Sequence, residues 1–166
     1  MASKQKIKGS GFERVIAKEL TKRYGENFTR TIGSGAFTGG KNMFRKQTLT
    51  ENQIRHHKGD VTPPDSFFKM NMECKSYKDF PFHLLFLGKC AILDSWLDQT
   101  LEAADDGDIN IVVIKINNKG KYVCIEKYHH LDISKAMNYK DNWYFFEYDV
   151  FFELNQESFK EACGKV

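Results

Sequence analysis

The stretch His57–Ser76, HKGDVTPPDSFFKMNMECKS, decides how the rest of the chain is read. Its second half alternates in type. Met70, Met72 and Cys74 fall on one side and Lys69, Asn71, Glu73 and Lys75 on the other, the period of a strand with one face in a core. Pro63-Pro64-Asp65-Ser66 reads as a turn, with Pro and Asp there for conformational reasons, so the stretch predicts a two-stranded hairpin. A turn centred between Ser66 and Phe67 places Asp60 opposite Glu73 and leaves Asp65 as a turn former. Opposed residues on one face of a ladder have Cβ atoms about 5 Å apart, and two carboxylates so placed repel unless a cation joins them. Lys75, on the same face, completes a carboxylate, carboxylate, ammonium cluster of the kind that metal-assisted hydrolysis of a phosphodiester uses. The plain alternative is an Asp near a turn and a Glu-x-Lys on the wet face of an edge strand, with no chemistry attached.

The 166 residues suit one domain, long enough to bury roughly 70% of the unfolded surface. The four cysteines, Cys74, Cys90, Cys124 and Cys163, form no CxxC pair, and neither a secretory signal nor a membrane-spanning apolar run is visible, so reduced thiols in a cytoplasm are expected. A content of 14 Phe and 7 Tyr suits a strand-rich core and excludes general disorder. The net charge of +3 is unevenly spread: Met1 to Lys58 holds 13 Lys or Arg against 4 Glu, a balance of +9, and the remainder carries −6. Such polarity suits a polyanionic partner or a solvated charged surface.

Outward from the central stretch, Phe12, Ile16, Leu20 and Tyr24 recur every four residues, with Val15 widening the stripe, and predict a first helix from Ser10 to Gly25. Glu13 borders that stripe. Ser10-Gly11-Phe12-Glu13 fits a capping box, so Glu13 is open to two roles, cap and metal ligand. Phe28 to Ile32 predicts a strand ended by Gly33-Ser34-Gly35. The long segment from about 35 to 58 is Gly-rich, then basic, and could close over a nucleic-acid backbone, with a short helical turn over Thr48 to Arg55. Beyond Lys75, the pattern predicts a long helix from about Leu84 to Ala104, a hairpin of Ile109–Ile116 and Lys121–Lys127, an aromatic strand within Trp143–Leu154 read as core by default, and a short last helix capped at Asn155. The order helix, three strands, helix, two strands gives an α/β fold with a mixed sheet.

Taken together, Gly11-Phe12-Glu13, Ile32-Gly33-Ser34-Gly35, Asp60 and Glu73-Cys74-Lys75-Ser76 resemble the archaeal-type Holliday junction resolvases of the PD-(D/E)XK nuclease superfamily. The resemblance covers roughly Gly9 to Tyr128 and has an apparent insertion between Gly35 and Lys58. It implies a restriction-endonuclease-like core in αβββαββ order and Mg²⁺-dependent cutting of four-way DNA junctions by paired nicks, as a homodimer, with Mn²⁺ as substitute. By the same match Asp60, Glu73 and Glu13 are metal ligands, Lys75 orients or activates the attacking water, and Ser34 sits near the scissile phosphate. Arg30, Lys41, Arg45, Lys46, Arg55 and Lys58 are candidate DNA contacts. Lys89, in a Gly-Lys similar to that of some members, is either a further phosphate contact or an ordinary helix-surface lysine. Hard oxygen donors suit Mg²⁺ better than zinc, and His56-His57 and His129-His130 lack a second ligand pair at finger spacing. The same core on duplex, nicked or flapped DNA, and an inactive DNA-binding module, are the competing readings.

Overall fold

The computed structural model describes residues 4–32 and 58–164. The segment from 33 to 57, with Ser34 and the expected helical turn at Thr48–Arg55, lies outside the described residues. Helix α1, Lys4–Tyr24, buries Phe12, Ile16, Ala17 and Leu20. It ends where Gly25, at φ +67°, takes the left-handed conformation and donates its N–H to the Thr21 carbonyl, an ordinary glycine cap. Ser10 therefore lies well inside the helix, and the capping-box reading of Glu13 falls because the first turn is further upstream. Val15 does not widen the stripe; it is exposed.

A short antiparallel pair follows, β1 (Thr29–Arg30) with β2 (Val61–Thr62). Here the structure departs from the expected hairpin. Pro63 and Pro64 cannot donate ladder hydrogen bonds, so β2 stops at Thr62 and the chain turns through a 3-10 helix, Asp65–Phe67, before β3, Met70–Tyr77. β2 pairs with β1, and β3 runs parallel to β4, Ile109–Ile116, with Glu73 beside Val112. Between them the expected long helix is broken in two: α2, His83–Phe86, and α3, Ala91–Glu102. Gly88, at φ +61°, lies in the break. β4 turns into β5, Gly120–Glu126, and the sheet is completed by β6, Met137–Tyr139, and β7, Trp143–Glu147, in the order β3-β4-β5-β7-β6. The aromatic run expected as strand to Leu154 is strand only to Glu147. From Tyr148 to Gly164 it is helix α4.

The sheet is mixed and covered on both faces. Strand alternation sends Met70, Met72, Cys74, Ile111, Val113, Val123 and Ile125 into a core shared with α1 and α4. Val112, Ile114, Ile116, Cys124 and Phe145 go to the other side, against Leu85, Leu93 and Leu97 of α2 and α3. Double coverage explains why Ile109–Ile116 reads as one apolar run. Among the described residues no helix is long and apolar enough to cross a membrane.

β3 is an edge strand, and what lies against its outer edge is the chain at Lys58-Gly59-Asp60. Gly59 has φ +65°, and a Cβ there would stand 2.6 Å from the Met72 carbonyl oxygen, so only glycine allows this approach. Lys58 is buried and its ammonium pairs with Asp105 at 2.9 Å and with Asp108, in the turn before β4, fixing the chain as it arrives. Gly59→Ala is expected to destabilise the protein by about 2–4 kcal/mol, through left-handed strain and the backbone clash together, read as a lower midpoint in thermal melting.

Candidate active site

Asp60 is held from three sides. Its N–H donates to the Met72 carbonyl at 2.8 Å, its carbonyl accepts from Thr31 N–H at 3.0 Å, and its carboxylate Oδ2 accepts from Cys74 N–H at 2.8 Å. The Met72 carbonyl and Cys74 N–H on the outer edge of β3 are thus both satisfied by one residue, which stands in for a missing strand. The carboxylate is fixed beside Glu73, and both side chains are withdrawn from water, at 7% and 3% exposure.

The carboxyl group of Glu73 is raised well above the ordinary carboxylate range, first by burial and then by the charge of Asp60, with a hydrogen bond between the two carboxyls favouring the protonated form. Lys75 opposes this incompletely: its Nζ is 3.5 Å from Glu73 Oε2 and donates to Gln99 Oε1, on α3, at 2.7 Å. Gln99 was not foreseen from the sequence. It sits on the wet face of α3, and only the folded contact with Lys75 singles it out.

Glu13 approaches from α1. Its carboxyl is also raised, by burial first and Asp60 second, against the lowering effect of Arg30, whose Nε donates to Oε2 at 2.5 Å. Asp60, Glu73, Glu13 and Lys75 therefore share one electrostatic neighbourhood. Arg30, expected as a DNA contact, is tied to Glu13 and half-buried. Lys58, expected to meet phosphate, is instead a buried structural cation, because Asp105 and Asp108 already neutralise it. Lys89 is exposed, placed after the Gly88 break rather than on a helix surface. Asp65 is exposed in the 3-10 helix, away from the strand edge where Asp60 docks. Ser34, Lys41, Arg45, Lys46 and Arg55 lie outside the described residues.

Burial first and the charge of Asp60 second disfavour the ionised Glu73, and a divalent cation between the two carboxyls would offset both. Among the described residues no group of three or more His, Cys, Asp or Glu side chains closes around a common point. Mg²⁺, which is typically held by one or two carboxylates and keeps several water or phosphate oxygens, suits the donor set.

A family profile described as "Phage putative PDDEXK endonuclease" matches residues 4–161. The chain belongs to this family. It is a nuclease of PD-(D/E)XK type, and its five-stranded mixed sheet between helices is compatible with the restriction-endonuclease-like fold. No curated protein and no solved structure matches the chain.

The raised carboxyl of this endonuclease has a measurable sign. A carboxyl whose folded pKa lies above its unfolded value binds protons on folding, so its contribution to stability is present at low pH and lost as pH rises from about 4.5 through the folded value, pushed up to about 8. Glu73→Gln is expected to stabilise the metal-free protein relative to native, with a gain that grows across that window and levels off above it. Thermal melts between pH 4 and 9 check this; a gain that shrinks with rising pH contradicts it.

Proposed function

We propose that this nuclease is a divalent-metal-dependent DNA endonuclease that resolves four-way junctions by paired nicks, acting as a homodimer. The observation that carries the hydrolytic part is the Asp60–Glu73 carboxyl pair at the edge of β3 with the Lys75 ammonium 3.5 Å from Glu73. Asp60 and Glu73 would hold Mg²⁺, or Mn²⁺ in its place. The ion, when bound, polarises the scissile phosphate and lowers the pKa of a coordinated water. Lys75, kept in place by Gln99, orients the attacking water through hydrogen bonding and offsets the charge that develops on the phosphate. Glu13, paired with Arg30 through Nε and Oε2, would add a third carboxylate ligand from α1.

The junction as substrate rests on the motif spacing shared with the archaeal-type resolvases, and so does the homodimer. Ser34, near the scissile phosphate, and Lys41, Arg45, Lys46 and Arg55, on flanking phosphates, belong to the same reading, as does Lys89. A second reading keeps the chemistry and changes the substrate to duplex, nicked or flapped DNA. It is favoured by the long basic segment from 35 to 58, which the compact resolvases lack, and by a matched family whose description names no junction.

An immobile four-way junction and a linear duplex of matching sequence, each incubated with Mg²⁺ and the native protein or Lys75→Met, separate these readings. The expected result is symmetric paired nicks in the junction alone, slowed about 10²–10³-fold in the variant. Equal cutting of both substrates removes the junction claim and leaves the metal site. No cutting of either overturns the hydrolytic reading.

A further inference from the structure

A groove lies on the α1 face of the sheet, lined by Gly11, Phe12 and Val15 of α1 and by Ser76, Lys115 and Lys121. The last three form a row across neighbouring strands, since Ser76 pairs with Lys115 and Lys115 with Lys121. Two lysines directly opposed on one face repel and destabilise the ladder unless something negative joins them. Lys121 has such a partner: both carboxylate oxygens of Glu19 accept from its Nζ at 2.7 Å. Lys115 is exposed and, among the described residues, has no ion-pair partner.

The opposite wall carries a second cost that internal packing does not explain. Gly11 lies inside α1, where a glycine destabilises a helix by roughly 1 kcal/mol relative to alanine. It is not demanded by the fold: its φ is ordinary, and an added Cβ would meet nothing within 4 Å. Bare backbone there keeps the wall low where a ligand can approach the row of Ser76, Lys115 and Lys121. The groove is also placed for one. Ser76 directly follows Lys75, and Phe12 directly precedes Glu13, so it opens beside the carboxylate site on the other face of the same edge strand.

We infer that this groove binds the phosphodiester backbone of the DNA strand next to the cut, with Lys115 as the principal phosphate contact, the Ser76 hydroxyl as a donor and Gly11 leaving room for the sugar-phosphate chain. The inference rests on the nuclease reading and adds the track that the substrate follows away from the scissile bond.

The test measures DNA affinity of the full chain against salt concentration, without Mg²⁺, for native protein, Lys115→Gln, Gly11→Leu and Lys127→Gln. Lys127 is an exposed lysine just beyond the far end of β5 and serves as the control. Lys115→Gln is expected to lower the slope of log affinity against log salt by about one while leaving the melting temperature unchanged or raised, because a like-charge contact is relieved. Gly11→Leu is expected to weaken binding about tenfold or more with no loss of thermal stability, since leucine is the better helix former. Lys127→Gln should leave the slope as it is. Unchanged affinity and slope in Lys115→Gln, with Mg²⁺-dependent cleavage intact, would overturn the groove while leaving the nuclease reading standing. So would a slope change of equal size in Lys127→Gln, or calorimetry with inorganic phosphate showing a Lys115-dependent site that DNA does not share. If the native protein neither binds nor cuts DNA, both readings fall together.

Discussion

The docking of Asp60 on the outer edge of β3 is the contact on which the site depends. One residue satisfies the Met72 carbonyl with its N–H and the Cys74 N–H with its carboxylate. An edge strand is otherwise a row of unpaired donors and acceptors. Here that edge is closed by a side chain that also carries charge, so the closure of the sheet and the placing of a carboxylate are a single event. Gly59 permits the approach through its positive φ and missing Cβ, and Lys58 secures it through two aspartates in the turn before β4.

The electrostatic consequence is a site whose buried carboxyls are under tension. Burial and the neighbouring Asp60 both disfavour the ionised form of Glu73, and Lys75, shared with Gln99, relieves only part of this. Glu13 is under the same pressures, with Arg30 as its partial relief. Tension of this kind costs stability, and it is retained where a bound ion or a phosphate supplies the missing charge. The Ser76, Lys115 and Lys121 row on the other face of the strand has the converse imbalance, positive charge without a full complement of anions. Carboxylates at one face of the sheet edge and, on β4 and β5, lysines at the other suit the metal and the polyanion proposed for them.

Much of this was legible in the sequence where the physics is local. The alternation from Met70 to Lys75 gives the correct faces of β3, and the apolar run at Ile109–Ile116 marks a strand buried on both sides. The neighbouring of Asp60 and Glu73 was foreseen for a wrong reason. A hairpin ladder was expected, whereas the two prolines end β2 and a long-range backbone contact through Gly59 does the joining. The segment after Glu147 misled because its Phe and Tyr content favours strand by propensity. Its spacing places Tyr148, Phe151, Phe152, Asn155, Phe159 and Cys163 on one buried helical face, and tertiary packing decides. The role of Lys58 and the contact of Gln99 with Lys75 were beyond reach, since both depend on residues brought together only by the fold.

The most direct test of the central claim is the position of a divalent ion in crystals of the protein grown with Mn²⁺, located by its anomalous scattering. The expected result is a peak coordinated by the carboxylates of Asp60 and Glu73 at the outer edge of β3, and its loss when Gly59 is replaced by alanine. A peak elsewhere, in crystals of protein that cuts DNA with the same ion, would contradict it.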